Sequence, residues 1–246
     1  MGRVLGAVTI GQSPRIDLIP EMRFVMAQDV RVLEAGALDG LTLEEVKKLA
    51  PELGDDVLVT RMADGTAVRI AEKHIIPRMQ EKIDELVGRG ADAIALVCTG
   101  EFPQFRCDKL LVVPQKVLFH AVAGVAGMAE TQARSSGGQS SGVHADGGCG
   151  RAFKLGVFLP DADQIEQGMR RWSAITPQVR IGAASPYGQP VEIEAQAHAL
   201  REWGADLIVM DCIGYTLAMK DRVRHIVGVP VILARSVLAR TLAELA

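Results

Sequence analysis

Aromatic side chains are scarce in this chain: Phe, Trp and Tyr make up 4% of its 246 residues. A single-stranded nucleic-acid platform stacks bases on aromatic rings, and there are too few here for one. The charge excludes the same class by another route. The 27 basic and 30 acidic residues leave a net of −3, with no long basic run to follow a phosphate backbone. No apolar stretch approaches the length of a membrane span. Met1-Gly2-Arg3 and the short apolar run after it fall short of a signal peptide, and Gly6 stands where a myristoylation signal needs Ser or Thr. A cytoplasmic location is therefore expected. The four cysteines, Cys98, Cys107, Cys149 and Cys212, contain no C-x-x-C pair, which favours reduced thiols over a disulfide framework or a zinc site. None of the five histidines forms a spaced pair with another or with a cysteine, so no metal is expected. Neither G-x-x-x-x-G-K-[ST] nor a strand-linked G-x-G-x-x-G occurs, so no nucleotide cofactor is expected.

What the chain does have is aliphatic residues. Hydrophobic side chains reach 48%, built mainly from Val, Ile, Leu, Ala and Met, which suits parallel strands buried on both faces. Val4 to Ile10 reads as a first strand, and Ser13 before Pro14 as the cap of a helix through Ile16, Ile19, Met22 and Val25, with Pro20 able to kink or delay it. A second strand is expected at Val30 to Leu33, and Thr42-Leu43-Glu44-Glu45 is a capping box opening a short helix. Residues 57–61 and 67–70, around Asp64-Gly65, predict a β-hairpin with a primed turn. Met79, Ile83, Leu86 and Val87 then share one face of a helix. It leads into the apolar strand Ala93 to Cys98, and Leu110 to Val113 is a further strand. A small-residue helix follows over Lys116 to Met128. Thr131 to Arg151, rich in Ser, Gly and Gln, predicts a flexible loop. The pattern resumes with a strand at Leu155 to Leu159, a helix to Trp172 and a strand at 179–181. A helix over 190–203, strands at 207–212 and 229–233, and a terminal helix complete it. The expected fold is α/β, with two pseudo-symmetric lobes. Residues 1–115 with 235–246 form one and residues 116–234, carrying the loop, the other.

The most informative feature is a duplication. Gly90-Ala91-Asp92-Ala93-Ile94-Ala95-Leu96-Val97-Cys98-Thr99-Gly100 aligns without gaps on Gly204-Ala205-Asp206-Leu207-Ile208-Val209-Met210-Asp211-Cys212-Ile213-Gly214, with six of eleven positions identical. In open α/β sheets ligands sit beyond the carboxyl ends of strands, and both Cys98 and Cys212 fall there. Cysteine is commonly a small buried hydrophobe. Two at equivalent positions of a repeat, each with Gly two residues on, point instead to a site. Cys107 and Cys149 have no such symmetry and read as incidental. Asp211 should face away from Cys212, because strand neighbours alternate, or cap a loop. Arg15 is either a carboxylate partner or, more commonly, a solvated residue at a helix start.

On these residues the sequence resembles the AroM family, which belongs with the aspartate/glutamate/hydantoin racemase superfamily. The first strand Ala7 to Gly11, Ala50-Pro51-Glu52, the stretch Leu207 to Gly214, and Val229-Pro230-Val231 with Ala239-Arg240 carry the likeness. The resemblance implies two flavodoxin-like lobes with the site between them and no cofactor. It also implies that Cys98 and Cys212 flank the α-carbon of a carboxylate, one thiolate removing a proton and the other thiol delivering one. Thr99, Gly100, Ile213 and Gly214 would then meet the substrate carboxylate, with Gln12 and Ser13 as further contacts. Tyr215 either closes the cleft or packs. The expected activity is a cofactor-independent racemase or epimerase acting on a small carboxylate or amino-acid-like ligand. A non-catalytic sensor of such a ligand and a cysteine-dependent decarboxylase stand as alternatives. No nucleic-acid or membrane partner is expected, and a homo-oligomer stays open.

Overall fold

The computed structural model describes residues 3–26, 30–135 and 152–245. The first half runs β1 (Val4–Thr9), α1 (Ile19–Val25), β2 (Arg31–Gly36), α2 (Leu43–Lys47), β3 (Val57–Arg61), β4 (Ala67–Ala71), α3 (Glu72–Gly88), β5 (Ala93–Leu96) and β6 (Leu110–Val112). Helix α4 (Pro114–Ser135) leads to the second half. That half contains β7 (Leu155–Leu159), α5 (Ile165–Trp172), β8 (Val179–Ala183), α6 (Pro190–Trp203), β9 (Leu207–Met210), α7 (Leu217–Val227), β10 (Val231–Leu233) and α8 (Ala234–Leu245).

Each half builds a four-stranded parallel sheet in the same order, β2-β1-β5-β6 and β8-β7-β9-β10. The register repeats as well: Leu5 pairs with Ala93 in one sheet and Leu155 with Leu207 in the other. Alternation divides every strand between two layers. Leu5, Ala7, Ala95 and Val97 join Leu155, Val157, Leu207 and Val209 in one core that also takes Met22 of α1, Leu118 and Val122 of α4, and Leu238 and Leu242 of α8. On the far faces, Val8, Ile94 and Leu96 pack on Ile75, Met79 and Ile83 of α3. Phe158, Ile208 and Met210 pack on Ile193 and Leu200 of α6 and Val223 of α7. Burying a Leu or Ile side chain of this kind contributes about 1.5–3 kcal/mol.

Two glycines show how close the layers come. A Cβ on Gly6 would lie 2.5 Å from Ile94 Cδ1, and one on Gly156 would lie 2.5 Å from Ile208 Cδ1. The helices preceding β5 and β9 end alike. Gly90 and Gly204 both take left-handed backbones, φ 88° and 78°, and the amides of Ala91 and Ala205 bond back to Leu86 and Leu200.

Several local expectations need correction. Helix α1 begins at Ile19, not after Pro14: Pro20 delays it, as its position allowed, because proline is tolerated in a first turn and would break a helix interior. The hairpin loop spans residues 62–66, with the Gly65 amide bonded to Met62 and Gly65 at φ 88°. It is a longer connection with a left-handed glycine, not a two-residue primed turn. Helix α4 extends to Ser135, into the stretch expected to be loop from Thr131; residues 136–151, Cys149 among them, lie outside the described residues. Helix α7 was not anticipated. Its cap is Thr216, whose hydroxyl accepts from the Met219 amide, and its end is Gly228 at φ 71°. The capping box at Thr42 and Glu45 forms as expected.

Candidate functional site

The duplicated turns present their cysteines in the same way. The Gly100 amide donates to Cys98 Sγ at 3.4 Å, and the Gly214 amide donates to Cys212 Sγ at 3.3 Å. Both cysteines follow the last buried residues of β5 and β9 and are half-buried. Burial pushes the Cys98 thiol up to about 12, against the Gly100 hydrogen bond, and the charges of Cys212, Glu72 and Asp211 add to the rise. Burial also raises Cys212, to about 11, but Arg15 and Arg235 act in the opposite direction there. The two sulfurs are thus close enough to sense one another, and they stand in different fields. Asp211 raises both thiols; Glu72 adds to the rise at Cys98, whereas Arg15 and Arg235 oppose it at Cys212.

The acidic side is built around Glu72, the first residue of α3. Burial, with Asp56 and Glu101 nearby, pushes its carboxyl up to about 7. The basic side is built from paired arginines. Arg15 is 4% exposed, grips Asp17 through Nε and Nη2 at 2.8 Å each, and donates to Thr9 at 2.9 Å and to Tyr187 Oη at 3.0 Å. It is neither solvated nor free, so the sequence expectation for it is corrected. Burial works against its charge, yet the Asp17 and Tyr187 contacts outweigh that and hold it protonated. Arg235, 2% exposed, pairs with Glu21 at 2.9 Å and donates to the carbonyls of Ile213 and Gly214.

Asp211 turns away from Cys212 into the shared layer, as strand alternation requires. Its Oδ2 accepts from Trp172 Nε1 at 3.0 Å and lies 3.1 Å from Arg171 Nη2. Arg171 also donates to the Thr99 carbonyl at 3.2 Å, and the Thr99 hydroxyl donates to the Asp211 carbonyl. The residue after one cysteine and the residue before the other are therefore locked together.

Other expected contacts have partners within the protein. The Gly100 and Gly214 amides, expected to receive a carboxylate, point at the sulfurs. Ile213 is 2% exposed and belongs to the shared core. Tyr215 is fully buried and its hydroxyl donates to the Ala184 carbonyl at 2.6 Å, so it packs instead of closing a cleft. Gln12 donates to the Leu38 and Leu41 carbonyls and accepts from the Ala63 amide, pinning the hairpin to β1. Ser13 gives its amide and hydroxyl to Asp39.

Sequence reasoning missed Tyr187, Glu72, Arg171 and Arg235. One signal was available: both of the chain's two tyrosines, Tyr187 and Tyr215, end beside the Cys212 turn. Burial pushes the Tyr187 phenol up to about 12.

Among the described residues no cluster of His, Cys, Asp and Glu could hold a metal, and no helix is long and apolar enough to cross a membrane.

Among solved structures, the fold is similar to glutamate racemase from Francisella tularensis subsp. tularensis SCHU S4 in complex with D-glutamate. Identity is 11%, coverage is 99% of this chain and 81% of that one, and the TM-score is 0.55. Glutamate racemase isoform RacE1 from Bacillus anthracis gives 11% identity, the same 99% and 81% coverage, and a TM-score of 0.54. The maleate isomerase Iso from Pseudomonas putida S16 gives 13% identity, 99% and 92% coverage, and 0.51. These likenesses establish the two-lobed racemase-type fold. Curated protein sequences give no match. The profile described as AroM protein matches residues 5–132 and 149–246, so the chain belongs to the AroM family.

Proposed function

We propose that the protein is a cofactor-independent isomerase of the racemase or epimerase type, acting at the α-carbon of a small carboxylate. The lobes of this reading are residues 1–115 with 235–246, and residues 116–234. The observation that carries it is the matched pair of Cys-x-Gly turns, each with a glycine amide donating to the sulfur. A hydrogen bond to sulfur favours thiolate over thiol, so each turn lowers the barrier to using its cysteine as a base. The fold shared with glutamate racemases and a maleate isomerase supports the same chemistry.

In this mechanism Cys212 is the first base, because Arg15 and Arg235 favour its thiolate while Glu72 disfavours that of Cys98; Asp211 disfavours both and does not separate them. Cys212 removes the α-proton and the Cys98 thiol protonates the opposite face. The Thr99–Asp211 and Arg171–Asp211 contacts hold the strand ends in register, which two-base chemistry on one carbon demands. The test is incubation with amino acids and dicarboxylic acids in D₂O. Deuterium at an α-carbon, lost in both Cys98→Ala and Cys212→Ala, supports the reading. Binding without exchange rejects it.

One observation favours a second reading, a ligand sensor: burial holds both thiols protonated at neutral pH. A sensor would bind a carboxylate in both cysteine variants and exchange no deuterium in any of them.

A further inference from the structure

Among the described residues, the positively charged side of this site contains one cation without a counterion. Arg15 has Asp17, Arg235 has Glu21, and Arg171 has Asp211 and Glu101. Arg61, the last residue of β3, forms no ion pair among the described residues, and its Nε is buried with no hydrogen-bond partner. Burying a guanidinium edge without a partner is unfavourable, and the hydrophobic core gains nothing from it.

The position of Arg61 is nevertheless tightly fixed. Its carbonyl accepts from the Gln12 amide at 3.1 Å, and a Cβ on Gly11 would lie 2.5 Å from that same oxygen. Its Cζ sits 4.6 Å above the centre of the Tyr187 ring. Tyr187 is held in turn by Arg15, and a Cβ on Gly214 would lie 2.8 Å from its hydroxyl. Arg61 therefore stands one aromatic ring away from the Cys212 turn. The ring face holds the cation while its Nε has no hydrogen-bond partner among the described residues, and a guanidinium with an unused edge can grip a carboxylate through two parallel hydrogen bonds.

We propose that Arg61 is a substrate-binding residue that recognises a second anionic group, so that the site selects small dicarboxylates over monocarboxylates of the same length. This rests on the proposed function for the identity of the site, but it is read by binding instead of turnover. One carboxylate would belong to the reacting carbon between the cysteines. The other would neutralise Arg61 beyond Tyr187. The opposite side of the site, with Glu72, Asp56 and Glu101, repels a second anion and so fixes the direction in which the ligand lies.

The experiment is calorimetric titration of the full chain with matched pairs: succinate against butyrate, and L-glutamate against L-glutamine. Wild type should bind at least one dianion tenfold or more tighter than its uncharged-tail counterpart. Arg61→Met should abolish that preference while changing monoanion affinity less than twofold, and Arg61→Lys should retain part of it. A circular dichroism melt checks that both variants fold; should Arg61→Met fail to fold, Arg61→Lys and Tyr187→Phe carry the comparison. Equal affinity within each pair, or a preference that survives in Arg61→Met, overturns the proposal and assigns Arg61 to supporting the Tyr187 ring. Failure of all four probes to bind wild type at millimolar concentration overturns it too. Deuterium exchange with monocarboxylates alone would overturn it while leaving the isomerase reading standing.

Discussion

The Thr99 hydroxyl donates to the main-chain oxygen of Asp211 at 3.4 Å, joining the residue after Cys98 to the residue before Cys212. Arg171 spans the same two residues through the Thr99 carbonyl and the Asp211 carboxylate. Removing the carboxylate leaves Arg171 and Trp172 Nε1 without their buried acceptor. Asp211→Ala should therefore lower stability by about 2–3 kcal/mol, read as a shift in the urea midpoint. Thr99→Val should cost under about 1 kcal/mol. If Asp211→Ala unfolds at the wild-type midpoint, this carboxylate does not hold the strand ends.

Cysteine replacements separate the site from the background. Cys98→Ala and Cys212→Ala should each eliminate α-deuterium exchange and leave the melting temperature within a few degrees, since among the described residues each sulfur takes part in a single hydrogen bond. Cys107→Ala and Cys149→Ala should be silent. Full exchange activity in either of the first pair would remove the two-base mechanism.

The carboxyl of Glu72 is pushed up to about 7, above its ordinary value. The folded state therefore holds this proton over a range where the unfolded chain has released it. Stability from this residue is lost as pH rises from about 4.5 to 7, and the full penalty persists above that. Glu72→Gln should then stabilise the protein at pH 8, by on the order of 1 kcal/mol after solvent screening, and should lose that advantage by pH 4. An equal effect at both pH values would mean that the gain has another origin.

Gly6 and Gly156 occupy equivalent places with unequal tolerance. A Cβ on Gly6 meets Leu86 Cβ at 3.1 Å and Ala91 Cβ at 3.2 Å, atoms fixed to the backbone. A Cβ on Gly156 meets Leu200 Cδ1 and Cδ2 at 3.3 Å, which can rotate aside. Gly6→Ala should cost about 1–3 kcal/mol and Gly156→Ala less. Comparing their thermal midpoints decides the matter, and the reverse order would contradict this packing.

The duplication was legible because parallel strands buried on both faces leave an uninterrupted apolar signature, and both copies end in Cys-x-Gly. Reading it gave the sheets, the strand ends and the orientation of Asp211. Helix α7 was missed because Lys220, Asp221, Arg222, Arg224 and His225 break up the spacing of Val223 and Val227. The arginine–tyrosine side of the site was invisible for a different reason. Arg15, Arg61, Tyr187 and Arg235 come from four separate segments, and no local pattern records that β1, β3, β8 and β10 end at one place. The fate of the glycine amides depended on where each sulfur rotates, which spacing does not encode.

The central layer of α1, α4 and α8 belongs to neither sheet alone: its residues pack with Leu5 and Val97 on one side and Val157 and Val209 on the other. Each copy of the duplicated unit would expose half of that layer if its neighbour melted. The ancestral module, if it once stood alone, has surrendered that autonomy. Heating or denaturant should take the chain apart in a single all-or-none step, with the enthalpy from calorimetry equal to the van't Hoff value. Either half expressed by itself should remain unfolded.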